Sequence, residues 1–511
     1  MASIVFHDVG FAYDASTDGL LAGVSFGLSE GWTGVIGANG TGKTTLLRLA
    51  CGELQAKAGA LDRPESALYC PQRTDEPMAE FAALLDAVDG EAYRIRGPLG
   101  IEDDWLDRWG TLSHGERKRA QIGTSLWLAP ELLAVDEPTN HLDRGARRMV
   151  VDALHTFRGV GLLVSHDRDL LDDLCGHCLF VDSPTVALRS GGYTIARAAL
   201  QEEGERARQK KTKARRVRER AERELTIRRE HQRKADRARS KRGIPRKDHD
   251  AKNKIDMARV ADAGAGKRLR QLEGRIRQAA DWEASIRVRR PDDLGIAFQG
   301  GASSRNALIR LGAGRLSLGD VRFLRFPELI VQPADRVALV GSNGSGKSTL
   351  VRHIRSRLEL PEERVVVIPQ EIPAERASAI LAEVRTLRGD RLGTTMQWVS
   401  RLGSDPKRLL ESALPSPGEI RKLMLARHLA LEPHLVIMDE PTNHMDLPSI
   451  ECVEEALGSF PGGLLLVSHD ERFLRALTTT RWEIEPRDSA WTQFELKVRV
   501  TGGREAGGRS T

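Results

Sequence analysis

Short, solidly apolar runs alternate along the chain with longer amphipathic stretches. WTGVIG (32–37), ELLAVDE (131–137) and GLLVSHD (161–167) each end in polar or glycine positions. RVALVG (336–341), HLVIMDE (434–440) and GLLLVSHD (463–470) repeat the arrangement. Unbroken apolar runs of this length suit strands buried on both faces of a parallel sheet, with chemistry at their C-terminal ends. The N-terminal MASIVFHDVGFAYD also reads as a strand. The middle of the chain reads differently. From about 199 to 240 there is no proline and one glycine, and Glu and Arg recur at helical spacings. GIP (243–245) breaks that pattern, and a second helical stretch runs to about 286. The expected element is a long helical hairpin, each arm of about 40 residues rising roughly 60 Å.

The two halves are copies. DEPTNHLD begins at Asp136 and DEPTNHMD at Asp439, an offset of 303. GANGTGKTT and GSNGSGKST begin at Gly37 and Gly341, while LSHGE and PSPGE, and the two VSHD segments, keep the 303-residue step. This is one domain duplicated around an insertion. The expected boundaries are 1–198, 199–288 and 289–511.

Charge sharpens the reading of the insertion. The chain of 511 residues carries a net +6, yet residues 201–280 hold 28 Lys and Arg against 13 Asp and Glu. A solvated spacer helix needs balanced charge; this surplus makes nucleic acid the first partner to consider. Five cysteines form no dense framework, which fits a reducing cytosol. No apolar run approaches the length of a membrane span, and the N-terminus has no signal-like pattern. A cytoplasmic protein without a membrane segment of its own is expected.

Both glycine-rich loops match G-x-x-x-x-G-K-[ST]: Gly37, Asn39, Gly40, Gly42, Lys43, Thr44 and Thr45, and then Gly341, Asn343, Gly344, Gly346, Lys347, Ser348 and Thr349. Glycines let backbone N–H groups close on phosphate oxygens. The lysine neutralises terminal phosphate charge, and the Thr44 or Ser348 hydroxyl suits Mg²⁺. Asp136 and Asp439 end apolar strands, where a Mg²⁺-ordering carboxylate is expected. Glu137 and Glu440 follow them and can polarise an attacking water. CGHC (175–178), by contrast, reads as a helix-end glycine with incidental thiols, lying between DRDLLDDL and CLFVD.

With these motifs in place, each half resembles an ABC-type ATPase domain. The resemblance implies an α/β fold of two tandem P-loop ATPase domains joined by a long basic α-helical hairpin, with ATP and Mg²⁺ as cofactors. It implies that LSHGE opens a helix whose Ser113 and Gly115 face a nucleotide on the other half, and that Ser416 and Gly418 of PSPGE do the same. Pro415 departs from the family's leucine, so some change of packing is expected there. Gln72 and Gln370 match the family's Q-loop residues, counted with the metal-binding set, and His166 and His469 its switch histidines. By resemblance, one composite ATP site combines Lys43, Gln72, Asp136, Glu137 and His166 with Ser416 and Gly418. The other combines Lys347, Gln370, Asp439, Glu440 and His469 with Ser113 and Gly115. An intramolecular pseudo-dimer in a monomer results, and both sites keep a glutamate for hydrolysis. Tyr13 lies at a distance from Lys43 suited to stacking on adenine; RLSLGD (315–320) has no aromatic in the comparable place.

The two DEPTNH motifs and a basic linker of roughly 80–90 residues resemble the ABC-F family. That resemblance implies a ribosome-associated factor whose linker enters from the tRNA exit site toward the peptidyl-transferase region, near 23S rRNA and the peptidyl-site tRNA. The expected tip is Arg242, Gly243, Ile244, Pro245, Arg246 and Lys247. Only 40 residues separate Gln72 from Ser113, so no large arm fits in the first half. Short-armed members include those protecting ribosomes from antibiotics, and that role is the preferred expectation. The alternatives are a housekeeping translation factor and the ATPase subunit of a drug exporter, which has no need of a cationic hairpin.

Overall fold

The computed structural model describes residues 2–13, 19–140, 142–238, 263–286, 303–412, 415–443, 445–488 and 491–500. Residues 1–196 and 292–511 form one compact unit and residues 197–291 a second.

In the first unit the apolar runs are the central strands. Strands 67–70, 132–136, 160–164 and 31–36 lie side by side and parallel, followed by 175–182 and an antiparallel edge strand, 185–190. The second copy keeps this order, with 365–368, 435–439, 463–467, 336–341, 480–486 and 493–500. Every residue of 132–136, 160–164, 435–439 and 463–467 is buried, as two-sided cover by helices requires. Leu46, Leu47 and Ala50 of the helix Lys43–Cys51 pack on one such sheet, and Leu350, Val351 and Ile354 on the other. Each of these leucines withdraws a side chain worth roughly 2 kcal/mol of burial.

The copies differ at the edge. In the first half, strands 3–11, 21–29 and 58–62 make a separate antiparallel sheet. In the second, strands 314–317 and 323–326 join the main sheet, because Phe323–Arg325 pairs in parallel with Gln493–Glu495, and the sheet grows to eight strands. CGHC is also placed differently from the sequence expectation. Cys175–Asp182 is a strand from its first residue, so Gly176 is not a helix end; it accepts from the Gly191 N–H at 2.8 Å. Both thiols are free and buried, and burial pushes Cys178 up to about 12. They are inert thiols.

The second unit is an antiparallel helical pair. The helix Tyr193–Ala238, about 69 Å long by its rise, leads into it, and the helix Ala263–Ser285 returns. Arg218 pairs with Glu283 at 3.2 Å and Arg229 with Glu273 at 2.6 Å, ascending on one helix and descending on the other. Ala214 and Ala221, seven residues apart, are buried, as are Leu272 and Ala279. That is the spacing of a two-helix seam. Within the long helix Glu219 and Glu224 are taken up by Arg215 and Arg228 one turn away, while Lys210, Lys211, Lys213, Arg216 and Arg220 are exposed. The expected tip, residues 242–247, lies outside the described residues.

Candidate active sites

Each phosphate loop joins a buried strand to a helix. Gly42 and Gly346 precede their helices with φ of 98°, where a side chain is strained. A Cβ on Gly37 would stand 2.3 Å from the Val181 carbonyl oxygen, so only glycine fits that approach. Lys43 Nζ donates to the carbonyls of Gly37 (2.9 Å) and Ala38 (3.1 Å), and Lys347 Nζ to those of Gly341 (2.8 Å) and Ser342 (3.0 Å). Burial lowers the pKa of both lysines, opposed in each case by nearby carboxylates.

The carboxylates are those the motifs nominate. Asp136 Oδ2 accepts from Thr44 Oγ1 at 2.7 Å and from the Tyr69 hydroxyl at 3.1 Å. Burial raises its pKa and the Thr44 hydrogen bond opposes that. Asp439 repeats this, raised by burial and held down by a hydrogen bond from Ser348. Glu137 and Glu440 both take φ of 49°, an uncommon conformation for a residue with a Cβ. Their N–H groups still donate into the neighbouring strand, to Val164 and Val467. One carboxylate oxygen of each, Oε1, is buried without a hydrogen bond, although His166 Nε2 is 3.0 Å from the first and His469 Nε2 3.5 Å from the second. A buried carboxylate oxygen with an unused lone pair beside a histidine is suited to orienting a water. Burial pushes Glu440 up to about 7, and burial with the Lys347 charge pushes His469 down to about 4. His469 is therefore neutral at physiological pH and can accept as well as donate; its Nε2 also lies 3.3 Å from Asn343 Oδ1.

The two loops exchange contacts with the opposite half. Asn39 N–H donates to Asp446 Oδ2 at 2.7 Å, across 407 residues of sequence. Asp446 is among the charges acting on Lys43, and Asp143, its counterpart, among those acting on Lys347. Ser113, Gly115 and Asp143 line a cavity of about 400 Å³ with Asn343 of the second loop. A larger cavity of about 910 Å³ gathers Lys347, Ser348, Thr349, Gln370, Asp439, Glu440 and His469 with Thr139, Asn140 and His166 of the first half.

Ser113 and Ser416 cap their helices: each Oγ accepts from the N–H of the glutamate three residues on, and that glutamate's carboxylate accepts from the serine's own N–H. Pro417 sits in the first turn of the second helix, where a missing N–H costs nothing. Thus PSPGE keeps the cap of LSHGE. Tyr13 is 46% exposed, with its hydroxyl 3.1 Å from Thr45 Oγ1, so its ring stands beside the first loop. At the second loop Ser317, Leu318, Gly319 and Arg322 line the larger cavity, with no aromatic among them. Gln72 is exposed, and it is not among the residues lining either cavity.

Sequence reasoning missed two buried cations behind the sites. Lys118 Nζ donates to the Pro71 carbonyl and to Gln121 Oε1, both at 2.8 Å. Arg421, at the same place in the second copy, donates to the carbonyls of Glu440 (3.1 Å), Asn443 (2.6 Å) and Gln370. The 303-residue offset pairs these positions and was the available signal. Asp143 and Asp446 were also overlooked, although both end the repeated motif.

The ABC transporter family profile matches residues 21–140 and 325–443, once in each half. The chain is 32% identical to the tylosin resistance ATP-binding protein of Streptomyces fradiae, over 94% of this chain and 97% of that one. It is 27% identical to a ribosome protection protein of Bacillus subtilis, over 88% and 80%. Its fold is similar to that of the archaeal ribosome recycling factor solved with a ribosomal stalk protein: TM-score 0.61 at 16% identity, covering 96% of this chain and 89% of that one. With both phosphate loops, both carboxylate pairs and a full-length relative in hand, the chain belongs to the ABC-F family of ATP-binding cassette proteins and is an ATPase.

Proposed function

We propose that this protein is a ribosome-binding ATPase that counteracts an antibiotic, working through two composite ATP sites and a basic helical hairpin. The observation that carries the reading is the hairpin itself: a long helix with a paired return helix and exposed lysines and arginines, inserted between two ATPase halves. An exposed cationic rod suits phosphate contacts on folded RNA, which it reads by shape. Similarity to proteins whose names state tylosin resistance and ribosome protection supports the same direction.

In the first site Lys43 and the loop N–H groups would take the nucleotide phosphates, Thr44, Asp136 and Gln72 would hold Mg²⁺, and Glu137 with His166 would orient the water. In the second, Lys347, Ser348, Asp439, Gln370, Glu440 and His469 take those roles. The Thr44–Asp136 and Ser348–Asp439 pairs fit a hard cation, being hydroxyl and carboxylate oxygens that already meet. Mg²⁺ there would neutralise phosphate charge. Ser113 with Gly115, and Ser416 with Gly418, would complete the opposite sites. ATP closes the halves and hydrolysis reopens them.

The test is cell-free translation stalled by a panel of ribosome-directed drugs. Added protein with ATP should restore synthesis against at least one drug, and replacement of residues 242–247 by Gly/Ser should remove the rescue while leaving ATPase activity. No membrane is present, so rescue excludes efflux; failure across the panel sinks the protection reading. Glu137→Gln with Glu440→Gln should trap the protein on 70S particles, and absence of co-sedimentation would sink ribosome binding altogether.

A further inference from the structure

The segment after each switch histidine is wired differently in the two halves. Asp167 follows His166, and its carboxylate caps the next helix by accepting from the Leu170 N–H at 3.0 Å. Its counter-ion comes from the same half: Arg147 approaches with both Nε and Nη2, the latter at 2.8 Å. Asp470 follows His469 and caps its helix in the same manner, accepting from Phe473 N–H at 2.8 Å. The position matching Arg147 is, however, Ile450, which is 1% exposed.

Asp470 is served from the other half. Arg168 extends across with its side chain 5% exposed; Nη2 lies 2.8 Å from Glu454 Oε2 and 3.8 Å from Asp470 Oδ2. Burial raises the Asp470 pKa, and the Arg168 charge is among the influences opposing it. The exchange is not reciprocated. The counterpart of Arg168 is Glu471, which forms a two-armed ion pair with Arg481 of its own half, at 2.9 and 2.7 Å. Three further side-chain contacts join the halves nearby, Tyr193 with Glu451 and Arg472 with both Asp172 and Thr194, and Tyr193 is also among the groups acting on Arg168.

We propose that Arg168 is a positioning residue for the second ATP site: supplied by the first half, it holds Asp470 charged and in place, and through Asp470 sets His469 against Glu440. An aspartate at this depth without a counter-ion would protonate or turn toward water. Either change relaxes the loop that carries His469. The first site's aspartate, Asp167, has its direct ion pair with Arg147 of its own half, an arginine that Asp470 also acts on from a greater distance. Docking of the halves therefore completes the second site's switch loop, while the first site's loop is complete beforehand.

The inference rests on both sites turning over, so the experiment isolates each. Glu137→Gln leaves the second site as the source of hydrolysis, and Glu440→Gln the first. Arg168→Gln in the Glu137→Gln background should lower kcat about 10- to 100-fold with KM for ATP moved less than about twofold, as misplacement of a catalytic group does. In the Glu440→Gln background the same change should move kcat by less than about twofold. Arg168→Lys should recover most of the second-site loss. Asp470→Asn provides a second route, since asparagine keeps the helix cap but loses the charge; it should reproduce the second-site defect even if Arg168→Gln folds poorly. Equal losses in both backgrounds would make Arg168 a general clamp and overturn the proposal, as would an unchanged second site. If Glu137→Gln alone has no activity, the two-site reading fails first and the proposal with it.

Discussion

The two halves hold the same chemistry on different supports. Lysine, hydroxyl, aspartate, glutamate and histidine occupy matched places, and both glutamates share the same unusual backbone angle. Around them the copies part. A tyrosine stands beside the first loop, whereas a leucine–glycine turn and an arginine stand beside the second. Lysine braces the first site from behind and arginine the second. One switch aspartate has its counter-ion at home and the other borrows it. Duplication has preserved the residues proposed to meet phosphate and water and has let the bracing diverge. The sites should therefore be alike in chemistry and unlike in tuning.

The largest expected effect tests the likeness. Removing both glutamates with Glu137→Gln and Glu440→Gln should reduce phosphate release by at least about 100-fold, the usual weight of a lost acid–base group. Each single variant should retain activity, and their sum should account for the parent. A single variant as inert as the double one would show that one site does no chemistry.

The bracing cations come next. Arg421→Met strips donors from three backbone carbonyls and should cost about 3 kcal/mol, while Lys118→Met strips them from one carbonyl and one side chain and should cost about 2 kcal/mol. Urea unfolding followed by tryptophan fluorescence ranks the two. A larger cost at Lys118 would reverse the reading of which site is more tightly braced.

A smaller difference is expected at the base. Tyr13→Leu should weaken ATP binding at the first site by about 1 to 2 kcal/mol, the range for an aromatic stack on a base. The second site, assayed with Glu137→Gln present, should not change. KM for ATP hydrolysis, measured in the Glu440→Gln background for the first site and in the Glu137→Gln background for the second, separates them.

The smallest effect concerns acid. Burial acts to raise the Asp446 carboxyl, but the Ser449 hydrogen bond, the Lys422 charge and the Asn39 N–H together hold it below its usual value. Its contribution to stability is therefore complete above the unfolded pKa near 3.8 and is lost as pH falls through the lower folded value. Asp446→Asn should remove that part of the acid sensitivity, a change of about 1 kcal/mol seen as a flatter dependence of the unfolding midpoint between about pH 2 and 5. An unaltered profile would mean that the contact between Asn39 and Asp446 adds nothing to the docking of the halves.

Much of this was legible residue by residue. Apolar runs at 132–136 and 435–439 could only be buried strands, and the paired G-x-x-x-x-G-K loops could only close on phosphate. The basic stretch after 199 had helix spacing and a break at GIP, and its described residues do form an antiparallel pair. These are local properties, in which periodicity, backbone freedom and charge act over a few neighbouring residues. The extension of the second sheet through Phe323 and Gln493, the burial of CGHC at the start of a strand, and the reach of Arg168 to Glu454 and Asp470 were decided by tertiary structure alone. Each depends on segments tens to hundreds of residues apart meeting in one place, where desolvation turns an ordinary arginine into a specific partner. No short window of the chain contains that information, because the partner that gives the residue its role lies in the other copy.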